Sequence, residues 1–437
     1  MAPNSEWKVP SISRKFPSYR DDKFITVESW LDGKRRDDEA EGLWRIHDKL
    51  YDLSKFANNH PGGKFWIEET KGTDITEAFE THHLMGKAEK LLPKYFVKEA
   101  KEPRNIILTL KDDGFYKVLK KRVVEKLKEI DQKPAKTTDM IHNVILASTF
   151  ISAMLYARYN NWALLLFSGL MMCWNAVIGH NYFHRKDNWR MYTFNLTLMN
   201  VNDWRISHVL SHHFYANTFH DLELSLFEPF LCWVPNPYIK SKLQRVISCV
   251  YSPLIYVLGF KIQFLLRLIN SILNNNVLYW HDIIGFSIPV LMVFTGDVSV
   301  LTALVRWLLI VSVSSFMFHL IGLNAAHHDP KIHHEGDAPR EDRDWGLFQL
   351  DTIIDRRDLK GSHFLVLTHF GDHILHHLFP TMDHGVLNQI YPILSETMKE
   401  FGGVARDQSY VSHLIGQNAQ LTRITPNLVP PGSKKSL

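Results

Sequence analysis

WALLLFSGLMMCWNAVIGHNYFHR, residues 162–185, decides the architecture of this chain. The apolar run 162–179 approaches the ~20 residues needed to cross a bilayer. It ends in His180 and His184, an HxxxH pair at the predicted membrane exit. Two further clusters follow: His208, His212 and His213 in HVLSHH, then His373, His376 and His377 in HILHHLFP. Positions i, i+3 and i+4 share one helix face, so each cluster aims its imidazoles in one direction. Of 24 histidines, 18 lie between His180 and His384, so the excess is local.

Working outward, the runs 141–157 and 162–179 form one predicted membrane hairpin, and 277–295 and 299–321 a second. The connectors, Arg158–Asn161 and Gly296–Val298, allow only tight turns. Arg306 and His319 interrupt the fourth run and are expected to face protein or the interface. The region 246–269, broken by Pro253, Lys261 and Arg267, reads as an interfacial or re-entrant helix. Two hairpins place residues 1–139, 180–276 and 322–437 on one side. Those segments carry nearly all the Lys and Arg, so that side is expected to be cytosolic. All three histidine clusters then meet at one end of the bundle. Eight imidazoles exceed what one zinc takes, about four ligands. Imidazole also suits iron, and a pair of irons would use about eight to ten ligands.

The rest of the composition excludes other classes. A net charge of +4 and a pI near 8.7 are too mild for a nucleic-acid binder, but suit a protein against an anionic membrane surface. Cys173, Cys232 and Cys249 form neither a disulfide framework nor a CxxC pair. The opening MAPNSEWKVPSISRKF holds no apolar core of a signal peptide. Residues 1–40 read as a polar lead-in, 41–100 as a small mixed α/β unit, and 101–139 as a basic amphipathic linker helix. In that linker Phe115, Val118, Leu119, Val123, Val124 and Leu127 recur at helical spacing and Lys133–Pro134 ends it. Residues 140–400 form the membrane unit and 401–437 a tail.

The segment WRIHDKLYDLSKFANNHPGG, followed by KGTDITEAFETHH, resembles the cytochrome b5 fold. His60 sits on a tight turn whose glycines let backbone approach a flat ring. In that family the second axial histidine follows 23 or 24 residues later. Here this leaves His82 or His83, the spacing favouring His83. The resemblance implies haem b with both axial positions filled, a carrier of electrons rather than a binder of oxygen.

The three clusters, in order, resemble the membrane fatty-acid desaturase family over about residues 140–400; the chain as a whole is most similar to a divergent insect branch of it. Asn217, Asp221 and Glu223 after the second cluster and Leu378-Phe379-Pro380 after the third agree. By analogy with acyl-CoA desaturases, Asn324 and His328 in GLNAAHHDP complete the ligand set, with His327 as neighbour. His220, His369 and His384 fall outside the pattern, as does the pair His333–His334. Two features depart from relatives that carry a fused haem domain. Those of the front-end type usually have Gln where His373 stands, and the first cluster lacks the common acidic HDxxH form.

The resemblance therefore implies an α+β haem domain fused to an all-α membrane domain with four transmembrane helices. The implied activity is a di-iron desaturase of lipid or acyl-CoA chains in the endoplasmic reticulum membrane. It would use two iron ions, dioxygen, and electrons from its own haem, itself reduced by NADH-cytochrome b5 reductase. Two alternatives stay open: a lipid hydroxylase on the same scaffold, and a membrane-anchored haem electron carrier with an inactive desaturase domain.

Overall fold

The computed structural model describes residues 10–432 apart from 23, 275–277 and 323–325. Helix α1 (Val27–Asp37) starts with a reciprocal cap between Thr26 and Ser29, which satisfies backbone N–H groups that a helix start leaves unpaired. Strands β1 (Trp44–Ile46), β2 (Lys49–Tyr51) and β3 (Phe96–Glu99) form an antiparallel sheet in the order β1-β2-β3. Trp44, Ile46, Tyr51, Leu53, Ile67 and Phe79 fill the core between this sheet and helix α2 (Thr76–His82). The buried Trp44 indole donates to Ile67 O at 3.0 Å, so its one polar atom is satisfied. This is the expected α+β unit.

The membrane unit is helical. Helix α3 (Phe115–Lys126) leads into α4 (Lys133–Tyr159), which turns at Asn160 into α5 (Trp162–His180). After the long helix α6 (Lys242–Asn274), a 3-10 segment, Trp280–Phe286, continues into α7 (Ser287–Gly296), and α8 (Val300–Gly322) runs back. The Arg306 guanidinium of α8 donates to Ala157 O near the end of α4, so both hairpin turns lie at the same end. His180 and Gly322 lie at the other. Helices α5 and α8 touch closely: a Cβ on Gly169 would come within 2.3 Å of Val313 Cγ1. Small residues at such contacts let helix backbones approach.

Four described helices are long and apolar enough to cross a membrane: α4, α5, α6 and α8. The expected third span, 277–295, is instead the shorter 3-10 and helical run Trp280–Gly296. The cause is polar: Asn195 and Asn200 engage His281, and Arg267 pairs with Asp282, holding that stretch at the bundle's rim. Helix α6 has the length of a span, but its exposed apolar residues, among them Leu243, Val246, Val250, Leu254, Leu265, Ile269 and Ile272, recur every three or four positions. That makes one stripe, with Tyr256 and Phe260 buried on the opposite face. Just before the helix, the Lys240 ammonium donates to Gln420 O and Arg423 O; near its far end Arg267 grips Asp203. Both ends are thus tied to elements on the histidine-bearing side.

Three segments are more integrated than their polarity implied. In the described part of the lead-in, Tyr19 Oη donates to Phe219 O and the Trp30 indole to His220 O. In α3, Phe115, Tyr116, Leu119 and Val123 are buried against Trp345, Phe379 and Phe401, so the linker is core. Pro134 does not end that helix; it opens α4, where its missing N–H costs nothing. In the tail, β5 (Arg406–Gln408) pairs in parallel with β4 (Ile354–Arg356), and the helix Tyr410–Thr422 packs on α6.

Candidate metal centre and haem cleft

Each histidine cluster is presented by a different local geometry. His180 ends α5, and His184 follows in the turn beyond. The second cluster lies on a π-helical segment, Arg205–His212, closed by a hydrogen bond from His213 N–H to His208 O. The wider turn brings i and i+5 to nearly one face, so His208 and His213 meet with Nε2 atoms 3.0 Å apart. The third cluster sits on helix His373–Leu378.

Among the described residues the donor atoms gather in two all-histidine sets, and His208, His212 and Glu223 form a third group. His180, His184, His208, His213 and His376 form one; His212, His327, His373 and His377 form the other. In each set, one ligating atom per residue lies within 4.8 Å of all the others. His180 Nε2 alone has the Nε2 atoms of His208 at 2.7 Å, His376 at 3.0 Å and His184 at 3.3 Å. One ring nitrogen with at most one proton cannot serve three such neighbours by hydrogen bonding; a shared cation can. The residues therefore fit a metal.

Carboxylates stand behind the rings. Glu223 Oε1 accepts from His208 Nδ1 at 2.9 Å and Asp221 Oδ2 from His212 Nδ1 at 2.9 Å. Such partners fix the tautomer and direct Nε2 at the metal. His377 Nδ1 lies 3.1 Å from the Gln349 side-chain amide. Asn217 donates to His327 O and His333 O, tying the second cluster to the loop after α8. Burial and neighbouring imidazoles hold His184, His213, His327, His373, His376 and His377 well below the ordinary histidine range, hence neutral and able to ligate. Burial also opposes charge on His212, but Asp221 and Glu223 outweigh it and push its pKa up to about 9, so a metal bound at its Nε2 would have to displace a proton.

Eight of the expected ligands are thus brought together. His328 is not: its ring stacks on Trp233 with centroids 3.8 Å apart and planes within 2°. Its neighbour His327 takes the inward place. Asn324 lies outside the described residues. His384, expected outside the set, has its ring 4.4 Å from that of His376. The His327–His328 doublet was the one sequence signal for the change of ligand.

In the haem unit, His60 and His83 face each other with ring centroids 6.1 Å apart. His60 Nδ1 donates to Gly63 O at 2.8 Å and His83 Nδ1 to Phe79 O at 3.0 Å. These bonds favour the tautomer with Nδ1–H and direct each Nε2 towards the cleft, as axial haem ligation requires. His82 turns the other way: its ring contacts Trp66, His184 and Phe214. Gly63, at φ 106°, touches the membrane unit directly; a Cβ there would lie 2.6 Å from Asp187 Oδ2.

A cavity of about 850 Å³ runs beside the centre. Glu223, which holds His208, is part of its wall, with Leu198, Met199, Trp204, Leu226, Leu266 and Ile269 as apolar lining.

Comparison with known proteins agrees with both units. The family described as "Fatty acid desaturase" matches residues 159–409, and that described as "Cytochrome b5-like Heme/Steroid binding domain" matches residues 29–101. A cytochrome b5-related protein of Drosophila melanogaster is 55% identical, the alignment covering 98% of this chain and 99% of the relative. A Delta(5) fatty acid desaturase A of Dictyostelium discoideum is 26% identical over 85% of this chain and 88% of its own. An acyl-lipid (8-3)-desaturase of Mortierella alpina is 23% identical over 88% and 95%. No solved structure matches.

Proposed function

Because the chain belongs to the fatty acid desaturase family of membrane oxidoreductases and carries a cytochrome b5-like haem domain, we propose that it is a di-iron enzyme acting on lipid acyl chains with electrons from its own haem. One observation carries this reading: nine imidazoles converge in two adjoining sets, with the haem unit packed against them. His180, His184, His208, His213 and His376 would hold one iron, and His212, His327, His373 and His377 the other. His60 and His83 would hold the haem. When bound, the irons supply dioxygen activation for removal of hydrogen from a C–H bond, and the haem supplies electrons singly.

The chain's own residues do the positioning. Glu223 and Asp221 retain the Nδ1 protons of His208 and His212 and leave Nε2 free to bind. The cavity's apolar wall holds a chain segment against Glu223's side of the centre and keeps water out. The exposed stripe of α6 lies in the lipid surface and gives that cavity access to the bilayer. NADH-cytochrome b5 reductase is the proposed reductant. The endoplasmic reticulum is the proposed site, with the metal centre cytosolic.

The head group follows from charge. Asp22, Glu28, Glu69, Asp203, Glu223 and Glu228 line the cavity, with Arg36 paired to Asp22, Arg20 to Glu228 and Arg267 to Asp203 and Asp282, so carboxylates outnumber the cations that meet them. Such a wall repels the phosphates of an acyl-CoA and favours an acyl lipid with a neutral or zwitterionic head.

The test is expression in yeast, comparing wild type with His376→Ala by lipid profiling and metal analysis. About two irons and one haem per wild-type chain, with new unsaturated lipids absent from the variant, is the expected result. New hydroxylated lipids would indicate the hydroxylase; haem without iron and no new lipid would leave only the carrier.

A further inference from the structure

His82 lies between the two redox units. Its peptide adjoins His83, whose ring faces His60 across the haem cleft. Its own ring points the opposite way and lies 6.3 Å from the His184 ring, the planes inclined by 29°. Trp66 of the haem unit packs on one side at 6.1 Å, and Phe214, next to His213, on another at 6.0 Å. His82 Nδ1 sits 2.9 Å from Thr81 Oγ1, while Nε2 is sealed from solvent with no hydrogen-bond partner. A buried imidazole nitrogen left unpaired is costly.

The contact is also clamped. The Arg205 guanidinium stacks on Trp66 at 4.7 Å and on Phe65 at 5.4 Å while pairing with Asp187 at 2.8 Å. Asp187 in turn lies against Gly63 of the haem turn. Residues from both units thus interlock around His82.

Resting on the function proposed above, we propose that His82 is the electron bridge between the two units, linking haem ligand His83 through one peptide and iron ligand His184 through one ring-to-ring contact. Electron tunnelling weakens exponentially with the gap between conducting groups, so the shortest bonded path with a single jump dominates. The step is a bare one-electron transfer: a ferrous haem becomes ferric and one ferric ion of the centre becomes ferrous. No bond forms or breaks, and no further reductant is needed.

The test uses the full-length, haem- and iron-loaded protein without oxygen. A light pulse with a photoreductant reduces the haem, and the decay of its ferrous absorption band is followed; iron-free protein gives the baseline. In wild type the iron-loaded decay is faster than the baseline. His82→Ala is expected to slow it to the iron-free baseline, because the ring that fills the gap before His184 is gone. His82→Phe, which keeps a ring in the gap, recovers most of the rate. The haem spectrum and midpoint potential stay unchanged in both variants, because His60 and His83 hold the haem. Unchanged decay in His82→Ala overturns the bridge, as does loss of the haem spectrum in that variant. Iron-loaded wild type decaying no faster than iron-free protein overturns the enzymatic reading itself, and the bridge with it.

Discussion

His327 Nε2 lies 2.8 Å from His373 Nε2 and 3.1 Å from His377 Nε2, while the adjacent His328 stacks on Trp233. Two neighbouring histidines thus have opposite fates, one inside a ligand set and one in aromatic packing.

The doublet separates by substitution. His327→Ala is expected to empty one metal position, halving bound iron and abolishing turnover. His328→Ala is expected to keep the iron and lose only the stacking contact, about 0.5–1.5 kcal/mol beyond the buried area. Iron per chain, with thermal unfolding of the purified variants, reads both.

The haem unit offers a parallel contrast. His60→Ala and His83→Ala each remove a proposed axial ligand and are expected to abolish the low-spin haem spectrum. His82→Ala should leave it intact, since His82 faces Trp66 and His184. Absorption spectra of the three variants decide it.

The carboxylates behind the rings should tune metal affinity. Asp221 supports His212 and Glu223 supports His208. Asp221→Asn or Glu223→Gln is expected to weaken iron retention by about 10–100-fold. Iron loss under a graded chelator series measures it; retention equal to wild type contradicts the role.

Arg104 pairs with both Asp74 and Glu77 at 2.6 Å, and all three side chains are largely buried. These carboxylates flank the start of α2, whose far end carries His83. Arg104→Ala takes the paired cation from two buried carboxylates, which keep only the hydrogen bonds from Thr76 and Tyr215, and costs about 3–5 kcal/mol. Thermal unfolding followed at the haem band should fall accordingly, and earlier than in Arg122→Ala, whose guanidinium is outside that core.

Glu335 supplies a pH dependence. Burial pushes its carboxyl up to about 7, only partly offset by hydrogen bonds from Phe219 and Ser11 N–H. The folded state therefore binds this proton more tightly than the unfolded chain, whose glutamate titrates near about 4.3. Its stabilising effect is full below that value and is lost as pH rises through about 7. Glu335→Gln should flatten the fall in melting temperature across this window; an unchanged pH profile contradicts it.

Legibility in the sequence followed the range of the physics. HPGG at 60–63 and the HxxxH, HxxxHH and HxxHH clusters are local patterns, so the haem turn and eight imidazoles were visible at once. Local periodicity found the second hairpin but overran the start of its first helix, because Trp280–Phe286 is held by Asn195 and Asn200, 86 and 81 residues away, and by Arg267. The lead-in read as polar and the linker as a basic amphipathic helix; what their buried residues, Trp30 and Tyr116 among them, meet are distant elements.

The amino-acid order by itself determined the two modules, the family, and which residue types could bind haem and iron, since those rest on short-range spacing and side-chain chemistry. Only tertiary structure decided His327 over His328, the π-helical pairing of His208 with His213, and the opposite aims of His82 and His83. Each of these depends on where a ring's neighbours from remote segments leave room for it, and packing across the folded chain alone sets that.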